Sequence, residues 1–488
     1  MQSPKTKTIP TTLLAACAAA MTLLAGCGSN STMNNLAGGS ATAAPMVVTV
    51  SDAPLGNILS ARVTLSSVSL STGATGSTPV SALSSPVTVE LSGLGAMQEP
   101  IEVSTIPNGT YTSVTLTVSA ATVVYTDASG QVTTATATLS SPTITVPLSP
   151  SLVVNSNAEI QLQLAFNLAQ SFSITGTTVT FTPAINTSGA QVGQENPGDR
   201  QVEVTGNVVS TSSSSIVVQS GDSGKQFTFT VNNTTQLPSG VTLNSIPTGA
   251  IVQVMGQTQT DGTILATSIT VESSATAGSQ DQNGAKGIVL SVNSSGGAVT
   301  SFTMMPREDF GSAMGNTSGT LTVNLSSTTT YALPEDAVNA GLSSTSFGVA
   351  DLFPGEAVMV SGGLSGTTGA PVIAATQIML AAESIPGTLV ATPTGTGPNY
   401  TFSLTVSVPS FLTTYGKIVT LNATTSSATE YGNGLTESGF AALAAGASIE
   451  AHGYLLQTSP GTFQFYATKI AQVEAPETPE GGGSGGDN

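Results

Sequence analysis

The chain reads as an all-β protein, an N-terminal β-sandwich followed by three tandem small β-barrel or β-sandwich domains. Three observations predict this. Segments such as Ala61–Leu70 (ARVTLSSVSL), Thr112–Val118 (TSVTLTV) and Ile160–Phe166 (IQLQLAF) alternate apolar and small polar residues. That period of two, built from Val, Ile, Thr and Phe, is the pattern of a strand with one buried face. Gly, Pro, Asn and Ser interrupt these runs roughly every 8–12 residues, the spacing of turns between short strands. The last three stretches of the chain also resemble one another, which points to duplicated units.

The amino terminus comes first. Lys5 and Lys7 precede an uncharged apolar stretch that ends at Leu24-Ala25-Gly26-Cys27. A basic start, an apolar core and small residues at a cut make a signal peptide over 1–26. The four-residue run resembles the bacterial lipobox. That resemblance implies a diacylglyceryl group on the Cys27 thiol, cleavage just before it, and acylation (palmitate or a similar chain) of the new amino group. Two or three chains hold firmly to a membrane where one does not. The alternative is an ordinary secretory signal with a chance cysteine. Cys17 lies in the discarded segment and the chain holds no further cysteine. Disulfides, thiolate nucleophiles and cysteine metal sites are therefore excluded from the mature protein. Residues 27–44 form the lipidated cysteine and a flexible tether of small residues.

Next come a sandwich over 45–183, a polar linker over 184–199, a β repeat over 200–273, a linker over 274–284, and repeats over 285–384 and 385–473. An acidic, glycine-rich tail over 474–488 is expected to be disordered. The repeats share four features. Each opens with a glycine before an apolar strand, at Gly206, Gly287 and Gly387. Each has a central Thr-rich segment, Thr234–Leu237, Thr328–Tyr331 or Ser427–Tyr431. Each has an alternating strand ending at Gly256, Gly362 or Gly453. Each closes on Ala-x-x-Ile, at Ala266/Ile269, Ala375/Ile378 and Ala467/Ile470. The glycines are expected at turns and sharp bends that a small barrel needs. Short helical turns are expected around Glu335–Leu342 and Gly439–Ala445.

The run Val48-Thr49-Val50-Ser51-Asp52-Ala53-Pro54-Leu55, with Ala61–Leu70 and Ile106–Val114, resembles a bacterial domain of unknown function numbered 4382. Its members are often lipoproteins, and the domain looks like a β-sandwich. Fewer charges stand in the Tyr111–Val118 strand than that pattern usually carries. The three repeats are similar to the family of unknown function numbered 5666, in the opening glycine, the central threonine, the alternating strand ending in glycine and the closing Ala-x-x-Ile. Neither resemblance implies an activity.

Candidate sites are few. The net charge is −18, yet only 7% of residues are charged, against about 25% in ordinary globular proteins. There is no Lys/Arg cluster, so nucleic acid is not an expected partner. Asp52 stands after a strand, where a loop carboxylate could bind Ca²⁺ or another ligand; it could equally cap a turn. Tyr111 is expected to bury its ring and bond its hydroxyl to backbone, with glycan stacking as the other reading. His452, the single histidine, builds neither a histidine zinc site nor a catalytic triad and is expected at the surface or a barrel rim. Glu308-Asp309 and Glu335-Asp336 are adjacent pairs, and neighbours on a strand point to opposite faces, so neither is a natural acid/base dyad. No catalytic residue, cofactor or metal site is expected, and the chain is read as non-enzymatic. The expected role is a structural or assembly part of the cell envelope, possibly self-associating along strand edges; the rival is a displayed binding module for a polysaccharide or small ligand. The membrane is a partner through the lipid. Gly28 follows Cys27, a place where aspartate commonly resembles an inner-membrane retention signal, so outer-membrane attachment is expected in a Gram-negative cell, facing the periplasm or the outside.

Overall fold

The computed structural model describes residues 43–53, 58–94, 97–127, 131–155, 160–191, 200–259, 263–273, 283–310, 319–343, 347–367, 370–407, 410–432 and 434–472. Strands dominate it, as the period-two pattern predicts.

The N-terminal unit is sandwich-like. One sheet has the strand order Ile185–Gln191, Ile160–Asn167, Ala43–Ala53, Glu99–Pro107. Ala43–Ala53 runs parallel to Ile160–Asn167 and antiparallel to Glu99–Pro107. The second sheet is built on two long strands, Ile58–Ser71 and Gly109–Thr126, paired antiparallel. Val87–Glu90 flanks the first, and Val132–Thr136 and Thr143–Val154 flank the second. The inward positions of both sheets fill one core, including Val48, Val50, Val63, Leu65, Leu116, Leu164 and Phe166. Each such Val, Leu or Phe contributes roughly 1.5–3 kcal/mol by leaving water. Tyr111 buries its ring, and its hydroxyl donates to the Pro107 carbonyl at 2.9 Å. The unit reaches past residue 183. Ile185–Gln191, read from its polar composition as the start of a linker, pairs antiparallel with Ile160–Asn167. That segment is held by backbone ladder bonds, which composition does not report. Residues 192–199 lie outside the described part.

The three repeats share one strand path. In the first, Gln201–Thr211, Ser215–Ser220, Gln226–Thr230, Ile251–Thr258 and Ile264–Ser273 (strands one to five) close a barrel in the order one-two-three-five-four. Only the three–five pair is parallel. In the second, Gly284–Ser295, Ala298–Phe310, Leu321–Asn324, Ala357–Thr367 and Ala370–Leu380 pair in the same order, again with three–five parallel. In the third, Glu383–Leu389, Asn399–Val406, Thr420–Thr424, Ser448–Ser459 and Thr462–Gln472 repeat it. The expected helical turns fall at Glu335–Asn339 and Glu437–Ala441.

The repeated sequence features have shared physical causes. The opening glycines lie on strand one where it presses against strand two. A Cβ there would stand 1.9 Å from the Gln219 carbonyl oxygen at Gly206, 2.0 Å from that of Met305 at Gly287, and 2.6 Å from that of Thr405 at Gly387. Gly256, Gly362 and Gly453 mark a register shift between strands four and five, a bulge that bends the strand. The central threonines tie the loop before strand four to strand five. Thr235, Thr329 and Thr429 donate from Oγ1 to the carbonyls of Ala266, Ala375 and Ala467 at 2.7, 2.8 and 2.7 Å. Those alanines open the Ala-x-x-Ile signature, whose isoleucines Ile269, Ile378 and Ile470 are fully buried.

Candidate functional site: a buried polar joint

Charged residues in this chain gather where the units meet. The reason is visible in the strands that carry them. Arg62, Lys286 and Arg307 each sit inside a strand, and alternation sends Arg62 and Lys286 to the face opposite the buried Ala61, Val63 and Ala285, where another unit supplies their partners.

At the centre stands Lys286, from strand one of the second repeat. Its Nζ lies 2.8 Å from Glu203 Oε1 of the first repeat and 3.5 Å from Glu308 Oε1 of its own neighbouring strand. The Gln253 amide donates to the same Glu203 oxygen at 2.5 Å. His452 of the third repeat brings Nε2 to 3.9 Å from Glu203 Oε2, and its Nδ1 lies 3.0 Å from Ser384 Oγ. One carboxylate thus joins three repeats. Burial pushes Glu203 up, but the Lys286 ammonium, His452 and the Gln253 amide pull harder and hold it at about 2. Burial alone would lower Lys286; Glu203 and Glu308 raise it beyond its ordinary value. Burial depresses His452 to about 4 against the pull of Glu203, which keeps the ring neutral. His452 is therefore a core residue, only 3% exposed, and not the surface or rim residue its sequence context suggests. The partner that draws it inward is remote in sequence.

A second set docks the first repeat on the sandwich. The loop after Ser215–Ser220 reaches the sandwich through three side chains. Ser220 Oγ donates to Glu99 Oε1 at 2.9 Å, Asp222 Oδ2 accepts from the Glu90 backbone N–H at 3.0 Å, and Lys225 Nζ lies 2.9 Å from Glu102 Oε2. The backbone joins in, since the Glu203 N–H donates to the Gln98 carbonyl at 2.9 Å. Burial, with Glu308 nearby, lifts Glu99 to about 8.

Arg307 forms the third set. Its Nε donates to the Leu59 carbonyl at 3.0 Å in the sandwich, and its guanidinium stands 5.2 Å from the Phe411 ring centroid of the third repeat. Arg62 Nη2 donates to the Arg307 carbonyl at 2.5 Å. Nearby, burial raises Glu383 to about 8, with Arg307 only partly offsetting it. Neither Glu383 carboxylate oxygen has a hydrogen-bond partner, so this group is kept protonated by its surroundings.

The remaining sequence candidates separate. Asp52 is not on a loop. It lies within strand Ala43–Ala53, opposite Phe166, and is buried. Among the described residues no group of three or more His, Cys, Asp or Glu is placed to hold a metal ion. Glu308 and Asp309 follow one another on a strand, while Asp336 leaves Glu335 and accepts the Tyr454 hydroxyl at 2.5 Å. Cys27 lies outside the described residues. Sequence reasoning passed over Lys286, Glu203, Arg307, Glu99 and Asp222. The available signal was a charge set within an alternating apolar strand, as in Gly284-Ala285-Lys286-Gly287-Ile288-Val289.

One cleft, of about 320 Å³, opens beside the joint. Ser60, Arg62, Thr64, Thr122, Thr134 and Thr136 of the sandwich line it, with Pro306 of the second repeat at its edge.

Comparison with known proteins bears on the two kinds of unit. A profile described as a domain of unknown function (DUF4382) matches residues 43–183, and a second such profile (DUF5666) matches residues 205–270. The chain thus carries a DUF4382-like domain followed by a DUF5666-like domain. No curated protein matches the chain. Among solved structures, a deletion mutant of the single-stranded DNA binding protein from Thermus aquaticus is similar at 14% identity and a TM-score of 0.17, over 41% of this chain and 98% of that one.

Proposed function

We propose that this chain is a lipid-anchored, non-enzymatic structural protein of the bacterial envelope, in which the sandwich carries three barrels of one kind. The shared strand order one-two-three-five-four, with its single parallel pair, is that of a five-stranded Greek-key barrel of the OB type. On this reading the second and third repeats descend from the same unit as the first. The observation that carries the structural role is the placement of charge. Lys286, Arg307 and His452 are committed to joining units rather than to an open site, and Arg62, which also lines the cleft, bonds across to the Arg307 carbonyl. A chain that holds its parts together this way suits load-bearing or spacing between a membrane and something beyond it.

Closed strand rings also leave fewer edges for another chain to add to. On the sandwich, strand Thr143–Val154 carries Pro147 and Pro150, which cannot donate to a new neighbour.

The test begins with the anchor. A Cys27→Ser chain is expected in soluble fractions or as uncut precursor, while the parent partitions into detergent. On a sucrose gradient the parent is expected with outer-membrane markers if the cell is Gram-negative, because Gly28 follows Cys27. A strain lacking the chain is expected to lyse more readily under detergent and osmotic shock, with rescue by the parent but not by Cys27→Ser. Unchanged envelope resistance in that strain would sink the structural reading.

A second reading rests on the cleft. Its hydroxyl lining suits an uncharged polysaccharide, held by hydrogen bonds without aromatic stacking. Retardation of the chain in gels cast with dextran, lost on Thr122→Val, would favour it; equal mobility with and without dextran would remove it.

A further inference from the structure

The joint between the sandwich and the first two repeats contains more acid than its cations can match. Glu90, Glu99, Glu203, Asp222, Glu308 and Asp309 converge there, facing Arg62 and Lys286, with Arg307 behind Glu90 and Glu308 and His452 behind Glu203. Lys286 is engaged with Glu203 and Glu308. Arg62 lies 3.7 Å from Glu90 Oε2. Glu90 is further supplied by the Ala61 N–H at 2.7 Å and by Ser60 and Ser92. Glu99 accepts from a neutral hydroxyl, Ser220 Oγ, while Lys286, the cation that attracts it, is paired with Glu203 and Glu308. Asp222, only partly covered, accepts a neutral backbone N–H, and the Arg62 guanidinium offsets part of the repulsion it meets from Glu99 and Glu308. Taking an unpaired carboxylate out of water costs more than protonating it.

We propose that this joint is locked by protons, with Glu99 and Asp222 held as neutral carboxyls while the first repeat is docked, and that it loosens when they ionise. The step is a simple acid dissociation, in which each proton passes to solvent base and leaves a carboxylate. Two carboxylates so close repel one another and Glu308, and each regains favourable hydration by moving outward. The loop that carries Asp222 is the part placed to respond, because Ser220, Asp222 and Lys225 bring it to the sandwich, with Lys225 Nζ also donating to Ser85 Oγ at 2.9 Å and Ser84 Oγ at 3.2 Å. Glu102–Lys225 would remain as a tether on its outer side, since that pair gains from ionisation.

The sign follows from the burial of these groups. Burial raises Glu99 to about 8 and, with Glu99 and Glu308 beside it, lifts Asp222 as well. A carboxyl raised on folding binds its proton more tightly in the closed joint than in the open one. Its contribution is complete below the ordinary carboxylate range and is lost as pH rises through about 8. The joint is thus tightest in acid and slackens in mild alkali.

Two backbone bonds report on it directly, Glu90 N–H to Asp222 and Glu203 N–H to Gln98. Hydrogen exchange of the full chain, read by mass spectrometry and corrected for intrinsic base catalysis, is the test. Between pH 6 and pH 9, protection of peptides covering Glu90 and Glu203 is expected to fall about a hundredfold, tenfold for each unit from pH 6 up to the Glu99 midpoint of about 8, and to level off above it. Peptides from Ser215–Ser220 inside the barrel are expected to hold. Glu99→Gln keeps an oxygen for Ser220 but cannot ionise, and is expected to retain protection at pH 9; Asp222→Asn serves if that variant folds poorly. Equal protection at pH 6 and pH 9, or the same alkaline loss in Glu99→Gln as in the parent, would overturn the proposal.

Discussion

Lys286 illustrates how a single side chain is constrained here. Its ammonium is largely buried and compensated by Glu203 and Glu308. Removing one member of a buried pair leaves the other charge stranded, at about 3–5 kcal/mol. Lys286→Met is therefore expected to lower stability by that amount, measured from the urea midpoint at unchanged slope. Lys286→Met with Glu203→Met should recover most of the loss, because apolar substitutes of similar volume do not need compensation. A double variant no better than the single one would show that the site depends on charge for another reason. His452 makes the complementary point about legibility. Its local sequence, Ile449-Glu450-Ala451-His452-Gly453, shows a histidine on a strand and nothing of Glu203, which is supplied by a different repeat. Tyr111 was legible because its hydrogen-bond acceptor, Pro107, lies four residues away in the chain.

At the level of elements, the repeat signature was readable because each of its parts answers to a steric demand inside one repeat. Gly362 sits where a Cβ would meet the Ala374 carbonyl oxygen at 2.1 Å. Gly362→Ala must displace backbone, and a cost of about 1–3 kcal/mol is expected from overpacking of this kind. Thr329 both donates to Ala375 and accepts the Ser326 N–H at 2.9 Å. Thr329→Val keeps the shape and strands both backbone groups, with an expected loss of about 1–3 kcal/mol. Thermal midpoints of the two variants check this; Thr329→Val with the parent's midpoint would mean the loop is not held by that bond. What composition hid at this scale was strand Ile185–Gln191. Its sequence, Ile-Asn-Thr-Ser-Gly-Ala-Gln, offers little apolar surface, so hydrogen bonding to Ile160–Asn167 decides its state.

Across the whole molecule, polar stretches between units suggest separate cores, yet the cores are not equally separate. The first repeat's main core draws on its own residues, from Val202 to Ile269, and only Ile251 on its outer face packs with Phe310, Met359 and Met379 of the second among the described residues. The second repeat's core takes in Tyr454 and Leu456 of the third, and the third repeat's core takes in Leu59 and Val124 of the sandwich with Ile288 and Met305 of the second. Calorimetry is expected to give more than one transition, with the second and third repeats melting together and the first apart. One transition with equal van't Hoff and calorimetric enthalpies would contradict this. None of these shared cores was visible in the linear pattern, since alternation tells which face of a strand is apolar but not which unit covers it.

The inward placement of basic residues has a practical consequence for anyone testing the proposed membrane attachment and the side on which it would lie. Trypsin cuts after lysine and arginine. Among the described residues Arg307 and Lys469 are buried, Arg62, Arg200, Lys225 and Lys286 are partly covered, and Lys417 alone is exposed. Lys417 lies between strands Asn399–Val406 and Thr420–Thr424, which are paired to each other and to the rest of the third repeat. Shaving whole cells with trypsin would at most nick the chain there, and the pieces would stay together until denatured. A surface-displayed copy would survive such a treatment looking much like a sheltered one. An enzyme that cuts beside apolar or small residues is the one able to tell the two apart.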